Sequence, residues 1–81
     1  MNEVRIYNSE EFGDIRTVQL NNEIYFVGKD VATALGYADT FGALKKHVMD
    51  EDKLVCQIDS AGQKRGATVI NESGLYALIF G

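Results

Sequence analysis

One stretch decides the fold of this chain: Tyr25-Phe26-Val27-Gly28-Lys29-Asp30-Val31-Ala32-Thr33-Ala34-Leu35-Gly36-Tyr37. Its first residues are aromatic or β-branched, which favours a strand, and this pattern breaks at Gly28. A short helix is predicted to follow over about residues 29–35. Gly36 stands where a helix ends in a left-handed turn, which only glycine adopts without steric cost. The stretch holds no nucleophile, metal cluster or phosphate-binding loop, so it predicts the structural pivot of a binding module.

Composition limits the chain to one small domain. Its 81 residues are 46% hydrophobic and 25% charged, which is typical of a folded globular chain and not of a disordered one. The net charge is −4, whereas domains that bind phosphates are usually basic. The charge argues against tight, non-specific binding of nucleic acid, but it leaves room for a local basic face.

The expected compartment follows from the cysteine count and the apolar runs. The single cysteine, Cys56, cannot form an intramolecular disulfide, and we expect it to be a small core residue on a strand. The sequence shows no signal peptide and no apolar run long enough for a transmembrane helix. We therefore expect a soluble, intracellular protein that does not associate with a membrane.

Two antiparallel β-hairpins are predicted. In the first, residues 15–20 and 24–27 flank Asn21-Asn22, and asparagine tolerates the positive φ that a two-residue turn requires. Upstream, an apolar pattern starts at Val4 and is interrupted by a polar turn at residues 8–11.

The second hairpin is predicted from alternation at residues 54–59 and a partner strand at residues 67–70. Residues 60–66 between them form a turn-rich basic loop, so this hairpin would carry Lys64 and Arg65 at its tip.

The second helix is expected to begin after Asp39 or Thr40 and to run to about His47 or Val48. Its apolar face would consist of Phe41, Leu44 and Val48. A glycine inside this helix, Gly42, costs about 1 kcal/mol relative to alanine, so packing must hold the helix.

A third helix is predicted after Asn71, which can cap it. Residues 75–80 are nearly all apolar, and a helix that is apolar all round is normally buried. We therefore expect either that the chain is a fragment of a longer protein or that this helix packs against another copy.

The first two helices have the spacing of a helix-turn-helix. Such motifs favour a small residue four positions before the turn glycine, as Ala32 stands before Gly36. The second helix would then present Thr40, Ala43, Lys45, Lys46 and His47 to a groove. Gly42 falls where the motif usually has an aliphatic residue, so an ordinary helical hairpin remains the alternative.

Basic residues supply the second candidate site. A hairpin with Gln63-Lys64-Arg65 at its tip is similar to the wing of a winged helix, or it is simply a solvated turn. The acidic turn at residues 50–52 would weaken a basic face formed near it. The candidate DNA-contacting residues are Lys29, Lys45, Lys46, Lys64 and Arg65.

Residues for catalysis or metal binding are not arranged in any recognisable pattern. A lone histidine, His47, is a poor metal signal, and residues 50–52 lack the rest of a calcium loop. No general acid and base pair, phosphate loop or activated nucleophile can be assembled. We expect no enzymatic activity, no metal and no cofactor.

With these elements laid out, the sequence resembles the Bro amino-terminal (Bro-N) domain of prophage antirepressors and large DNA virus proteins. The matching segments occur in the family's order: residues 25–32 (YFVGKDVA), 34–37 (ALGY), 43–44 with 47–48 (AL, HV), 51–53 (EDK) and 70–79 (INESGLYALI). Tyr25 stands where a tryptophan is frequent in the family. Family members usually continue past the last helix with a more basic segment, and often with a separate carboxy-terminal domain.

The resemblance implies a phage or prophage regulator that acts in the cytoplasm of the bacterial host. Viral members are described as DNA-binding, and phage members are expected to oppose a repressor and so favour lytic genes. The resemblance supplies no agreed contact residues, so the candidate residues above rest on charge and position.

The whole prediction is an α+β domain over residues 1–81, a fragment of a longer antirepressor. Two antiparallel β-hairpins pack with a short helical pair and a C-terminal helix. DNA is the expected partner, with lysines on phosphates and Arg65 as the base or minor-groove reader because of its planar fork. The alternative is a protein-interaction module that binds a phage repressor or self-associates through the C-terminal helix without contacting DNA. The net charge of −4 favours this alternative.

Overall fold

A computed structural model describes residues 4–10, 12–60 and 62–81 of the chain. Within these residues the chain forms a five-stranded antiparallel sheet with the strand order β1-β2-β3-β5-β4, together with three α-helices. The elements are β1 (Val4–Ser9), β2 (Gly13–Leu20), β3 (Glu23–Val27), α1 (Gly28–Ala34), α2 (Thr40–His47), β4 (Lys53–Ser60), β5 (Gln63–Ile70) and α3 (Glu72–Phe80). The predicted α+β fold, with its two hairpins, helical pair and C-terminal helix, is confirmed.

The first hairpin turns where the sequence predicts it. Asn21 and Asn22 have φ angles of 52° and 65°, and Leu20 pairs with Glu23 across them. Both turn residues therefore occupy the left-handed region that a two-residue hairpin requires. The sequence pattern predicts a polar turn from residue 8 and no strand at residues 4–9. That prediction is wrong, because β1 pairs along β2 from Val4 to Ser9 and so includes Asn8 and Ser9. One residue of the predicted polar turn, Glu11, lies outside the described residues.

The two hairpins join into one sheet through β3 and β5. Phe26 pairs with Ile70 and Val27 with Val69, after which β5 ends and the chain turns into α3. One face of the joined sheet buries a cluster drawn from both hairpins: Val18, Val27, Ile58 and Val69. Cys56 packs against this cluster from β4 and is half-buried, as expected for a small residue on a strand.

The helices cover the opposite face of the sheet. Their core cluster consists of Ile15, Val31, Ala43, Leu44, Val48, Ile70 and Leu78. Each large aliphatic side chain buried there contributes about 1.5–3 kcal/mol relative to an exposed one. The predicted apolar face of α2 is wrong at Phe41, which is 72% exposed. Leu44 and Val48 are buried as predicted. Ala43, which was expected to face a groove, is also buried in the core because it lies on the side of this short helix that packs inward.

The strand-to-helix pivot contains no loop at all. β3 ends at Val27, and α1 begins at Gly28. A Cβ atom on Gly28 would lie 2.8 Å from Cδ2 of Leu44 and 3.3 Å from the carbonyl oxygen of Thr68. A side chain at this position would press on Leu44 and on the backbone of β5, so glycine suits the close approach of α1, α2 and β5.

The second hairpin has longer strands than the sequence suggests. β4 continues to Ser60, which pairs with Gln63 at the start of β5. The predicted loop at residues 60–66 is therefore wrong in extent. Lys64 and Arg65 belong to the strand ladder, because backbone pairing with β4 continues to the last residues before the turn. Ala61 lies outside the described residues.

Helix α3 begins as predicted and packs on one side. The Asn71 side-chain oxygen accepts a hydrogen bond from the Gly74 N–H at 2.9 Å. Leu78 is buried, but Phe80 is 83% exposed and stacks on Tyr76. In the described part of the chain, no helix is long and apolar enough to cross a membrane.

Candidate nucleic-acid interface

Two of the predicted cations lie together at the end of α2. The Asp39 carboxylate caps this helix by accepting a hydrogen bond from the Gly42 N–H at 2.9 Å. A Cβ atom on Gly42 would collide with that carboxylate, which explains a glycine where an aliphatic residue was expected. Lys45 and Lys46 lie exposed in the last turn, where their charge also complements the carbonyl end of the helix.

The connection between α1 and α2 is a well-formed helix stop. Gly36 has a φ of 88°; its N–H bonds the carbonyl of Thr33, and the Tyr37 N–H bonds the carbonyl of Ala32, both at 3.0 Å. These two bonds form a Schellman motif, as Gly36 predicts. The Tyr37 hydroxyl donates to the Leu78 carbonyl at 2.9 Å, which fixes the connection to α3. The helical pair is thus rigidly built around Gly36.

Carboxylates border the basic end of α2. Asp50 and Glu51 line the same surface depression as Lys45 and Lys46. Lys53 is not free for a ligand, because its Nζ donates to the Leu44 carbonyl at 3.2 Å and lies 3.6 Å from Oδ1 of Asp50. The acidic turn therefore reduces the positive potential near the α2 lysines, as the sequence suggests.

The two cations of the second hairpin lie apart from those of α2. In the strand register Lys64 pairs with Asp59 and Arg65 with Ile58, so successive side chains leave on opposite faces. The Arg65 guanidinium donates to Oε1 of Gln63 at 2.9 Å on its own face. At about 3.3 Å per residue, Lys64 lies about 20 Å along β5 from Ile70, which packs with α2 in the core.

The fifth predicted cation, Lys29, is exposed in the first turn of α1. Beside it lies an ion pair that the sequence analysis missed. The Arg16 side chain donates from Nε to Asp30 Oδ2 at 2.8 Å and from Nη2 to Oδ1 at 2.9 Å, and the Arg16 backbone N–H donates to Oδ2 at 3.0 Å. The sequence showed Asp30 only as a complement to the helix dipole, because nothing local relates it to a strand fourteen positions upstream.

Both members of this pair have shifted pKa values. Burial alone would raise the pKa of Asp30, but hydrogen bonds from the Arg16 side chain and backbone, with the nearby positive charges, hold it below its ordinary value. The hydrogen bond to Asp30 raises the pKa of Arg16 against the opposing effect of burial. The charge of Arg16 is thus satisfied internally, and this arginine is a clamp between β2 and α1.

The predicted cations thus lie on three elements: Lys45 and Lys46 on α2, Lys64 and Arg65 on opposite faces of β5, and Lys29 on α1. All five side chains are exposed and able to reach a phosphate. Among the described residues, no group of three or more His, Cys, Asp or Glu side chains is arranged to hold a metal ion.

Comparison with known proteins gives one family. The model of the BRO family, N-terminal domain, matches residues 14–81. A Bro-N domain-containing protein, 289L, of Invertebrate iridescent virus 6 is 41% identical, with 68% of this chain and 18% of the viral protein covered. The chain thus spans less than a fifth of the length of that relative. No solved structure matches the chain significantly.

Proposed function

The chain belongs to the BRO family of N-terminal domains, and from this premise we propose that it is the DNA-contacting domain of a phage or prophage antirepressor. The observation that supports the proposal best is the exposed pair Lys45 and Lys46 on α2. This helix is capped by Asp39 and packed against the core, so the two charges are presented from a rigid support.

The proposed contact is mainly electrostatic. Lys45 and Lys46 would bind phosphates of one strand and release counterions, which supplies affinity without reading sequence. Lys29 would extend the contact from α1. Lys64 and Arg65 would act at a separate position on the hairpin, where the planar fork of Arg65 suits a base edge or the minor groove. A bacterial cytoplasm is the proposed site of action.

A titration of duplex DNA by fluorescence anisotropy across salt concentrations tests the proposal. Each lysine–phosphate contact contributes about 0.9 to the slope of log affinity against log salt. We expect Lys45→Ala with Lys46→Ala to reduce the magnitude of this slope by nearly the contribution of two lysine–phosphate contacts.

The double variant Lys64→Ala with Arg65→Ala removes two positive charges from the other proposed contact, so it compares the hairpin with α2. A smaller loss in this variant identifies α2 as the main contact. Equal losses would mean that the two positions contribute equally, and no binding at low salt would refute the proposal.

A second candidate function is protein interaction without DNA, either with a phage repressor or with another copy of the chain. The exposed stack of Tyr76 and Phe80 on α3 favours it, since such aromatic pairs are common anchors at interfaces. Sedimentation of the wild type and Phe80→Ser across concentrations tests self-association. A monomer at all concentrations, with no binding of the cognate repressor, would exclude this candidate.

A further inference from the structure

Helix α3 carries a stripe of large apolar side chains on its exposed side. Tyr76, Ile79 and Phe80 are 48%, 38% and 83% exposed, whereas Leu78 of the same helix is buried. Tyr76 and Phe80 lie about one helical turn apart and their rings stack, with centroids 6.4 Å apart. The stripe therefore ends in an aromatic side chain, Phe80, that none of the described elements covers.

A groove lies beside the first half of the same helix. Glu72, Leu75 and Tyr76 of α3 form its wall, and Ile24 of β3 contributes to its floor. Ile24 is on the helix-bearing face of the sheet, because it lies two positions before Phe26, which packs against the helical core. It is nevertheless 58% exposed. The groove has a volume of about 680 Å³, which is ample for an aromatic side chain.

The groove and Phe80 are spaced so that two copies of the chain fit each other. Phe80 follows Tyr76 by four residues and Glu72 precedes it by four, so the three residues share one face of α3. When two α3 helices cross antiparallel about a two-fold axis at Tyr76, residue 80 of each copy lies opposite residue 72 of the other. This pairing brings each Phe80 to the groove of the other copy. Both contacts form at once, so the assembly closes as a dimer.

We propose that the domain forms a symmetric dimer in which Phe80 of each copy inserts into the groove between β3 and α3 of the other. The proposal rests on self-association, the second candidate function, and deepens it by naming the contact. A second copy is selected as the occupant because the same surface carries both the projecting ring and the groove, at matching distances from one axis. None of the five cations assigned to DNA lines the groove in the described chain, so the dimer presents two sets of them.

Complementation between two variants tests the proposal by sedimentation velocity. Phe80→Ser removes the inserted ring and keeps the groove, whereas Ile24→Ser alters the groove and keeps the ring. Each variant alone loses both contacts of its dimer. At about tenfold for each contact, we expect its dimer dissociation constant to rise about a hundredfold.

An equimolar mixture of the two variants keeps one intact contact, between Phe80 of one copy and the unaltered groove of the other. We therefore expect the heterodimer to form about tenfold more tightly than either variant's homodimer. A fluorophore on one variant identifies the heterodimer, and its formation also shows that both variants are folded.

Phe41→Ser and Val55→Ser are the matched controls, because each removes an exposed apolar side chain from another element. We expect both to dimerise as the wild type does. A wild type that stays monomeric at all concentrations would overturn the proposal together with self-association. A dimer that persists in both Phe80→Ser and Ile24→Ser would overturn the groove contact alone and leave self-association through another surface. Variants that dissociate but do not complement each other would also overturn it, because rings that only stack across the axis give that result.

Discussion

The guanidinium of Arg16 holds the carboxylate of Asp30 through both of its oxygens, at 2.8 and 2.9 Å. The pair links the middle of β2 to the first turn of α1, and both side chains are less than one-third exposed. The backbone N–H of Arg16 adds a third bond to the same carboxylate. This clamp fixes how α1 leaves the sheet, and with it the position of α2 and its two lysines.

Asp30→Asn should therefore destabilise the fold. The substitution removes the ionic part of the pair and leaves a partly buried guanidinium without its counter-ion, which costs about 1–3 kcal/mol. For a domain of this size that loss lowers the melting temperature by roughly 4–8 °C per kcal/mol. Asp14→Asn is the control, because the Asp14 carboxylate accepts a hydrogen bond from the Asn8 amide on an exposed stretch of β1 and β2. A melting temperature for Asp30→Asn equal to that of the control would show that the clamp contributes nothing.

The same pair should make stability depend on pH at the acidic end. The folded pKa of Asp30 is lowered, so the carboxylate stabilises the fold fully above its unfolded pKa of about 3.8. That contribution is lost as the pH falls through the folded pKa. We expect urea unfolding to show a constant advantage of the wild type over Asp30→Asn between about pH 5 and 7, shrinking below about pH 4. A difference that does not change with pH would contradict the lowered pKa.

Gly28→Ala should be costly in a way that depends on Leu44. A Cβ atom at this position meets Cδ2 of Leu44 at 2.8 Å, and overpacking of this kind costs about 1–3 kcal/mol. Gly66→Ala is the control, since its Cβ would meet Val55 at an ordinary 3.5 Å. In chemical denaturation, Gly28→Ala combined with Leu44→Ala should cost less than the sum of the single changes. Strict additivity would mean that the two sites do not touch.

The features that sequence predicts well here are those decided by a few neighbouring residues. Asn21-Asn22 turns a hairpin, Gly36 stops a helix and Asp39 caps the next one, because in each case the hydrogen bond closes within a few positions. The family resemblance rests on the same local segments, and the BRO family match over residues 14–81 confirms it.

The features that sequence misses depend on contacts distant along the chain. Two such contacts form only when the whole sheet is assembled. Phe26 pairs with Ile70 and so joins the hairpins, and the Arg16 side chain donates a hydrogen bond to Asp30. Phe41 has the periodicity of a core residue, but none of the described elements covers it. The separation of the β5 cations from α2 likewise follows from the length of the β4–β5 ladder.

At the start of α3, substitutions of Asn71 can separate the stability that comes from the helix cap from the stability that comes from the hydrogen bond to Asp52. The Asn71 oxygen caps the helix at Gly74, while its Nδ2 donates to Oδ1 of Asp52 at 3.1 Å. Serine keeps a cap but cannot reach Asp52, and alanine loses both. We expect Asn71→Ser to cost roughly 0.5–1.5 kcal/mol for the lost hydrogen bond and Asn71→Ala about 1 kcal/mol more for the lost cap.

Thermal unfolding measures this series, with Asp39→Ala as the reference for a cap that has no tertiary link, at about 1 kcal/mol. If the link to Asp52 matters, Asn71→Ala must exceed Asp39→Ala. The excess should equal the cost of Asn71→Ser, because that variant isolates the bond to Asp52. If Asn71→Ser is as stable as the wild type, the side-chain bond to Asp52 is incidental, and the cap and the core packing of α3 account for its stability.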